Sequence, residues 1–246
     1  MINKFIPIIE KYIRDHVKNA GAKGVVVGLS GGIDSAVVAA LAARALGKDN
    51  VLGIIMPCES VDSDLEDAIK LVEKTGISYK VVDLTKTYKS FLEDNQVEAD
   101  NTCLTYGNIK PRLRMTTLYF YSALYNYLVA GTSNRSELIT GYLTKYGDGG
   151  VDFEPIADLL KKDVYQIARE LDLPKRIIEK KPSAGLLVNQ DDETEVGFTY
   201  DELDSYIESG LGDKAVVEKI LKLYNASRHK LKIPDQLNLN RNFYIR

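Results

Sequence analysis

Between Gly24 and Gly47 the chain reads GVVVGLSGGIDSAVVAALAARALG, and Ser30 to Ser35 hold its first groups able to do chemistry. Gly31 and Gly32 let a backbone come close to a ligand. Ser30 and Ser35 add hydroxyls. A helix beginning near Asp34 would aim its free N–H groups and its dipole at an anion. A plain strand-to-helix turn would explain the glycines, but not Ser30, Asp34 and Ser35 together. The loop is not a Walker loop, because Gly32 is followed by Ile33, Asp34 and Ser35 rather than by lysine. It is not G-x-G-x-x-G either. A helix terminus carries only about half a unit charge, too little for a pyrophosphate. Asp34 would repel phosphate unless a cation lay between them. The cradle therefore implies Mg²⁺, held by one or two carboxylates and by phosphate oxygens.

The elements around the loop must form a scaffold for it. Gly24 to Gly28 is a continuous apolar run, as a buried parallel strand requires. Ala36 to Leu46 reads as helix, Val51 to Met56 as strand, Asp64 to Lys74 as helix and Ser78 to Val82 as strand. This alternation predicts parallel strands joined by crossover helices. Phe5, Ile6, Ile8, Ile9, Ile13 and Val17 recur at helical spacing ahead of it. Thr102 to Tyr127 is predicted as a long helical stretch, with Pro111 at a first helical position and Tyr119, Tyr121, Tyr125 and Tyr127 as core or interface. Leu128 to Gly131 reads as a fourth strand. Gly141 to Asp152 and Pro182 to Glu195 read as polar loops. Helices are expected at Asp163–Leu171, Tyr200–Glu208 and Asp213–Arg228. The fold expected is α/β, a doubly wound parallel sheet of about five strands with flanking helices.

The bulk numbers set limits. The 246 residues suit one large α/β domain. The net charge of -3 argues against a general nucleic-acid binder. Cys58 and Cys103 do not form a C-x-x-C, which points to a reducing cytoplasm without a thiol-relay site. Charges scattered through MINKFIPIIEKYIRDHV exclude a signal peptide. No apolar run is long enough for a membrane span.

GLSGGIDS after a buried strand resembles the signature of the N-type ATP pyrophosphatases, which cut ATP between the α and β phosphates. The loop would then grip the leaving pyrophosphate. GTSNRSELITGYLTKYGDGGVDFEPIADLLKKDV, Gly131 to Val164, closely resembles the ammonia-dependent NAD synthetases within that superfamily. GNIKPRLRM (Gly107 to Met115), PSAGL (Pro182 to Leu186) and SRHK (Ser227 to Lys230) match further segments in order. The chain departs from many relatives at Leu186, Leu187 and Val188, where a tryptophan-containing segment is common, and at Pro111, where alanine is commoner.

The resemblance implies a Rossmann-like, adenine nucleotide alpha hydrolase-like sheet. It implies conversion of deamido-NAD, ATP and ammonia into NAD, AMP and pyrophosphate through an acyl-adenylate. Gly28, Leu29, Ser30, Gly31, Gly32, Ile33, Asp34, Ser35, Thr132, Lys161 and Ser183 would contact ATP. Asp34 and Glu137 would hold Mg²⁺, and Asp34 and Lys161 would be catalytic, with Lys161 supplying the cation the loop lacks. Arg112, Lys145, Asp152, His229 and Lys230 would contact deamido-NAD. Asp148 is a candidate acceptor for an ammonia proton. His16 is left as a surface residue. The glycines of Gly141 to Asp152 suit a flap that excludes water from a hydrolysable intermediate. The family implies a homodimer, for which helix 116–127 offers a surface. A single domain over 1–246, with no glutaminase domain, implies free ammonia or ammonia from a separate protein. Two rivals stand beside this reading: a tRNA-modifying ATP pyrophosphatase, and a nucleotide-binding protein without turnover.

Overall fold

Alternation of side chains along each strand decides which layer each residue joins. The computed structural model describes residues 2–98, 100, 103–183, 185–186, 191–234 and 237. Four strands, β1 (Gly24–Gly28), β2 (Val51–Ile55), β3 (Ser78–Val81) and β4 (Tyr127–Val129), form one sheet in the order β3-β2-β1-β4. All pairs are parallel, with Val25 opposite both Val51 and Leu128. Val25 and Val27 point into one apolar layer, with α1 (Phe5–Asn19) and α2 (Ile33–Leu46). Val26 points into the other, with Leu52, Ile54 and Met56. The β-α-β-α-β alternation predicted from the sequence is therefore present, with helices on both faces of the sheet. The chain continues through α3 (Asp62–Thr75), α4 (Thr85–Asp94), α5 (Leu104–Gly107) and α6 (Ile109–Tyr125) to β4, and then α7 (Arg135–Thr140). It ends in α8 (Lys161–Glu170), α9 (Lys175–Glu179), α10 (Asp192–Val196), α11 (Tyr200–Ser209) and α12 (Lys214–Ser227).

Several expectations need correction. The sheet has four strands among the described residues, not about five. At the β4 edge, where a fifth would lie, residues 151–153 make a single parallel bridge, Ala130 to Phe153. Two backbone bonds hold it, Asp152 N–H to Val129 O and Gly131 N–H to Phe153 O. The Asp152 carboxylate then takes the Val129 N–H at 2.7 Å, occupying the donor that a longer ladder would need. The long helix is broken at Asn108 into α5 and α6, and Thr102 lies outside the described residues. Pro111 is the third residue of α6 rather than the first, still within the turn whose N–H groups have no helical partner. Ile8, placed on the buried stripe of α1, is exposed. His16, expected at the surface, is half-buried, with its ring stacked on Phe153 at a centroid distance of 5.2 Å. The sequence reading missed α4, whose Tyr88 and Leu92 pack under β2. It also missed α10, within the second polar loop.

Candidate active site at the carboxyl ends of the strands

The Ser30–Ser35 loop leaves β1 at its carboxyl end. Gly31 has φ +78°, and a Cβ there would lie 2.4 Å from the Asp64 carbonyl oxygen, so the loop can press on α3 only as glycine. The serines stiffen the turn. Gly32 N–H donates to Ser30 Oγ at 3.2 Å, Ser35 Oγ–H donates to Gly32 O at 3.0 Å, and the two hydroxyls lie 3.1 Å apart. Gly32 caps α2 with extended backbone and no side-chain hydrogen bond. The first N–H groups of a fourteen-residue helix thus receive no side-chain cap, the arrangement that accepts an anion.

Opposite this terminus, Lys161 Nζ donates to Asp34 Oδ2 at 2.6 Å and to Glu137 Oε1 at 3.2 Å. The lysine side chain is 3% exposed, and both carboxylates are 17% exposed. Asn134 joins them. Its Nδ2 donates to Asp34 Oδ1 at 2.8 Å, while its Oδ1 accepts Glu137 N–H at 3.0 Å in a reciprocal capping box on α7. One ammonium faces two carboxylates, so ionisation of both would leave one negative charge over. Burial and the neighbouring Asp34 charge push the Glu137 carboxyl above its ordinary range, against the pull of Lys161. Burial opposes ionisation of Lys161, but Asp34 and Glu137 outweigh it and raise its affinity for the proton. The aromatic ring of Tyr200, its centroid 5.0 Å from Nζ, covers the lysine.

Asp34 Oδ2 and Glu137 Oε1 converge on the Lys161 ammonium, and their other oxygens accept from Asn134. With both carboxyls ionised the trio would carry a net negative charge. Among the described residues no cluster of three or more acidic, histidine or cysteine side chains exists to complete a shell. Two protein carboxylates with the remainder supplied by phosphate and water is how Mg²⁺ is ordinarily held at nucleotide sites. The residues fit.

The second set of expected residues is joined through backbone carbonyls. Arg112 donates to Lys145 O at 3.3 and 3.4 Å. Lys145 Nζ donates to His229 O at 2.9 Å. Lys230 Nζ donates to Gly141 O and Leu143 O at 2.8 and 2.9 Å. These bonds fasten the 141–150 loop to α6 and to the end of α12. Burial lowers the Lys230 pKa. His229 is exposed, with Nδ1 3.0 Å from Ala226 O. Asp148 is exposed, and its carboxylate accepts Thr144 N–H at 2.9 Å. Asp152 also accepts Tyr119 O–H at 3.1 Å, and burial first, then Asp152, pushes that phenol up to about 12. Thr132 lies in the turn between β4 and Asn134. Ser183 is exposed and accepts Gly185 N–H at 3.2 Å; no bond among the described residues ties it to either cluster. Leu187 and Val188 lie outside the described residues.

Sequence reasoning singled out neither Asn134 nor the groups that position Lys161. Lys161 N–H donates to Ser136 Oγ at 3.0 Å, Ser136 Oγ–H to Asp204 Oδ1 at 2.5 Å, and Lys162 N–H to Asp204 Oδ2 at 3.0 Å. A buried carboxylate from α11 therefore holds the first turn of α8. Glu154 was missed too. It accepts Ser133 N–H at 3.1 Å, and a Cβ on Gly131 would lie 2.3 Å from its carboxylate. Burial pushes Glu154 up to about 7. The Asn-x-x-Glu spacing at 134–137 is a capping-box signal readable from sequence; Asp204 and Glu154 carry no local signal.

The chain matches the model of the NAD synthase family over residues 5–234. It is 47% identical over 226 residues to the NH(3)-dependent NAD(+) synthetase of Carboxydothermus hydrogenoformans, covering 91% of this chain and 93% of the relative. Among solved structures it resembles the NMN synthetase of Francisella tularensis, with TM-score 0.92, 36% identity, and coverage of 97% of this chain and 99% of that one. The NH3-dependent NAD synthetase of Campylobacter jejuni gives TM-score 0.81 at 36% identity, with 97% and 99% coverage.

Proposed function

The chain belongs to the NAD synthase family, and on that premise we propose that it amidates deamido-NAD with ammonia, cleaving ATP to AMP and pyrophosphate. The observation that carries the reading is Lys161, shared between Asp34 and Glu137 opposite the uncapped start of α2. A carboxylate is a poor electrophile. In the first step a carboxylate oxygen of the pyridine ring attacks the α-phosphorus of ATP, and pyrophosphate leaves. In the second, ammonia attacks the acyl carbon, AMP leaves, and the nitrogen gives up its extra proton. Both steps concentrate negative charge, so prearranged donors lower the barrier.

In this reading Gly28 to Ser35 hold the leaving pyrophosphate on backbone N–H groups, and Thr132 and Ser183 contact ATP. Lys161 supplies the fixed positive charge. Asp34 and Glu137 would hold Mg²⁺, whose chemistry when bound is to neutralise phosphate oxygens during displacement. Arg112, Lys145 and Lys230 have no ion-pair partner among the described residues, donating instead to carbonyls, and so keep their charge for an anionic dinucleotide. Asp152 and His229 complete that site, and Asp148 accepts the nitrogen proton. The protein acts as a single catalytic domain, and the unpaired thiols of Cys58 and Cys103 suit the cytoplasm. It pairs as a homodimer, a reading supported by exposed Phe120 and Leu124 on α6.

The test is a product assay with ATP, Mg²⁺, ammonium and deamido-NAD. NAD, AMP and pyrophosphate are expected in equal amounts, and none without ammonium or with Asp34→Ala. ATP cleavage without NAD would point to a different acceptor. The likeness to the Francisella NMN synthetase, at TM-score 0.92, favours a second reading in which the acceptor is the corresponding mononucleotide. Running nicotinic acid mononucleotide beside deamido-NAD decides it: the true acceptor has the higher kcat/KM.

A further inference from the structure

Arg114 has no role in the reading above, yet its setting is unusual for a structural arginine. Its Nε donates to Met56 O at 3.2 Å and one terminal nitrogen donates to Ser60 Oγ at 3.3 Å. Both acceptors are neutral. A guanidinium carries five N–H donors, so the remaining ones have no acceptor among the described residues. Burial destabilises its charged form, and the fields of Cys58, Asp148 and Asp64 offset this only in part. None of those three is hydrogen-bonded to it. Arg114 is half-buried, and its unused N–H donors are open to the cleft rather than sealed in the core. A partly desolvated cation without a carboxylate costs folding stability, and groups of that kind persist where a ligand needs them.

Its position says which ligand. Met56 directly follows β2, so Arg114 is anchored at the carboxyl edge of the sheet, where open α/β folds bind ligands. Asp64, whose carbonyl packs against Gly31 of the phosphate cradle, lies near enough to act on its charge. So does Asp148, of the loop that also carries Lys145. Arg114 thus lies near both the groups read as holding ATP and those read as holding the dinucleotide. Forked N–H donors match phosphate oxygens.

We infer that Arg114 is a further catalytic residue, binding a phosphate oxyanion in the cleft with the donors the protein leaves unused. The oxyanion comes either from ATP or from the pyridine dinucleotide. The inference rests on the proposed reaction for its catalytic part, and on geometry alone for its binding part.

The test uses the full chain with Arg114→Met and Arg114→Lys. Thermal midpoints are read without ligand and with ATP plus Mg²⁺, with inorganic pyrophosphate plus Mg²⁺, and with deamido-NAD. Removing a half-buried cation that has no ion-pair partner, at the cost of two hydrogen bonds to neutral acceptors, should leave the ligand-free midpoint of Arg114→Met little changed. The rise produced by one ligand should shrink: ATP and pyrophosphate if the oxyanion is ATP's, deamido-NAD if it is the dinucleotide's. kcat should fall on the order of 10²-fold, with part recovered in Arg114→Lys. A lower ligand-free midpoint with every ligand-induced rise intact would overturn the inference and leave Arg114 as a clamp on Met56 and Ser60. Should the methionine variant fail to fold, the lysine variant decides: a reduced rise supports binding, and an unchanged one overturns it. Wild-type protein that makes no amide, yet shows a ligand-induced rise dependent on Arg114, would sink the proposed reaction and not this site.

Discussion

At the scale of single residues, the site is built on one ammonium shared by two carboxylates. Burial and Asp34 make Glu137 hold its proton more readily than an ordinary carboxyl, and ionisation of both carboxyls would leave a negative charge for a cation to use. Lys161→Met should leave two neighbouring carboxylates with no counter-ion, at a cost of about 3–5 kcal/mol of stability. Its kcat should fall on the order of 10²–10³-fold. Chemical denaturation and steady-state rates check the two effects separately. Glu154 makes a prediction in pH. Its folded pKa of about 7 stands above the ordinary 4.5, so between those values the folded state binds the extra proton. Stability from this group is therefore present at low pH and lost as pH rises through 7. Glu154→Gln keeps an acceptor for Ser133 N–H but cannot titrate. Its thermal midpoint relative to the parent should climb between pH 5 and pH 8. A difference that does not change with pH would mean that Glu154 is ionised throughout.

Among the elements, α2 was the most legible in the sequence, α6 was read as helix but without its break, and α4 and α10 were missed. The α2 start follows from glycines, a short apolar strand and an alanine run, all local signals. The break at Asn108 had a local signal in the poor helix formers Gly107 and Asn108, outweighed in the reading by the apolar and charged run that follows. The fifth strand failed for a different reason: the Asp152 side chain took a backbone donor, a contact no periodicity encodes. The same limit applies at the site. Asp34, Glu137 and Lys161 could be placed from their motifs, whereas Asp204 reaches Lys162 from 42 positions away. Gly31 tests the element directly. Gly31→Ala forces a Cβ into the Asp64 carbonyl at positive φ, at about 1–3 kcal/mol. The loop must then lift from α3 and turn the α2 terminus off the phosphate. ATP binding should weaken while deamido-NAD binding holds, as titration calorimetry with each ligand would report. Equal losses for both ligands would mean that the whole sheet edge had moved.

At the scale of the molecule, α6 serves three layers at once. Leu113, Leu118 and Tyr121 pack on the second apolar cluster, Arg112 and Arg114 reach the site, and Phe120 and Leu124 face outward at 61% and 59% exposure. Of the tyrosines expected as core or interface, Tyr121 and Tyr127 pack against the core cluster, and Tyr119 bonds to Asp152. Two large apolar side chains four residues apart lie on one helical face, and such a face calls for a partner. Phe120→Glu combined with Leu124→Glu would put like charges on that face and remove its apolar surface. If the proposed homodimer forms through this face, the parent should sediment as a dimer and the double variant as a monomer. Because Arg112 lies two turns back on the same helix, loss of the partner should loosen the dinucleotide site first. KM for deamido-NAD should rise on the order of tenfold, equivalent to about 1.4 kcal/mol, with KM for ATP little changed. A double variant that stays dimeric would move the interface off α6. One that becomes monomeric with both KM values unchanged would place the dinucleotide site wholly within one chain.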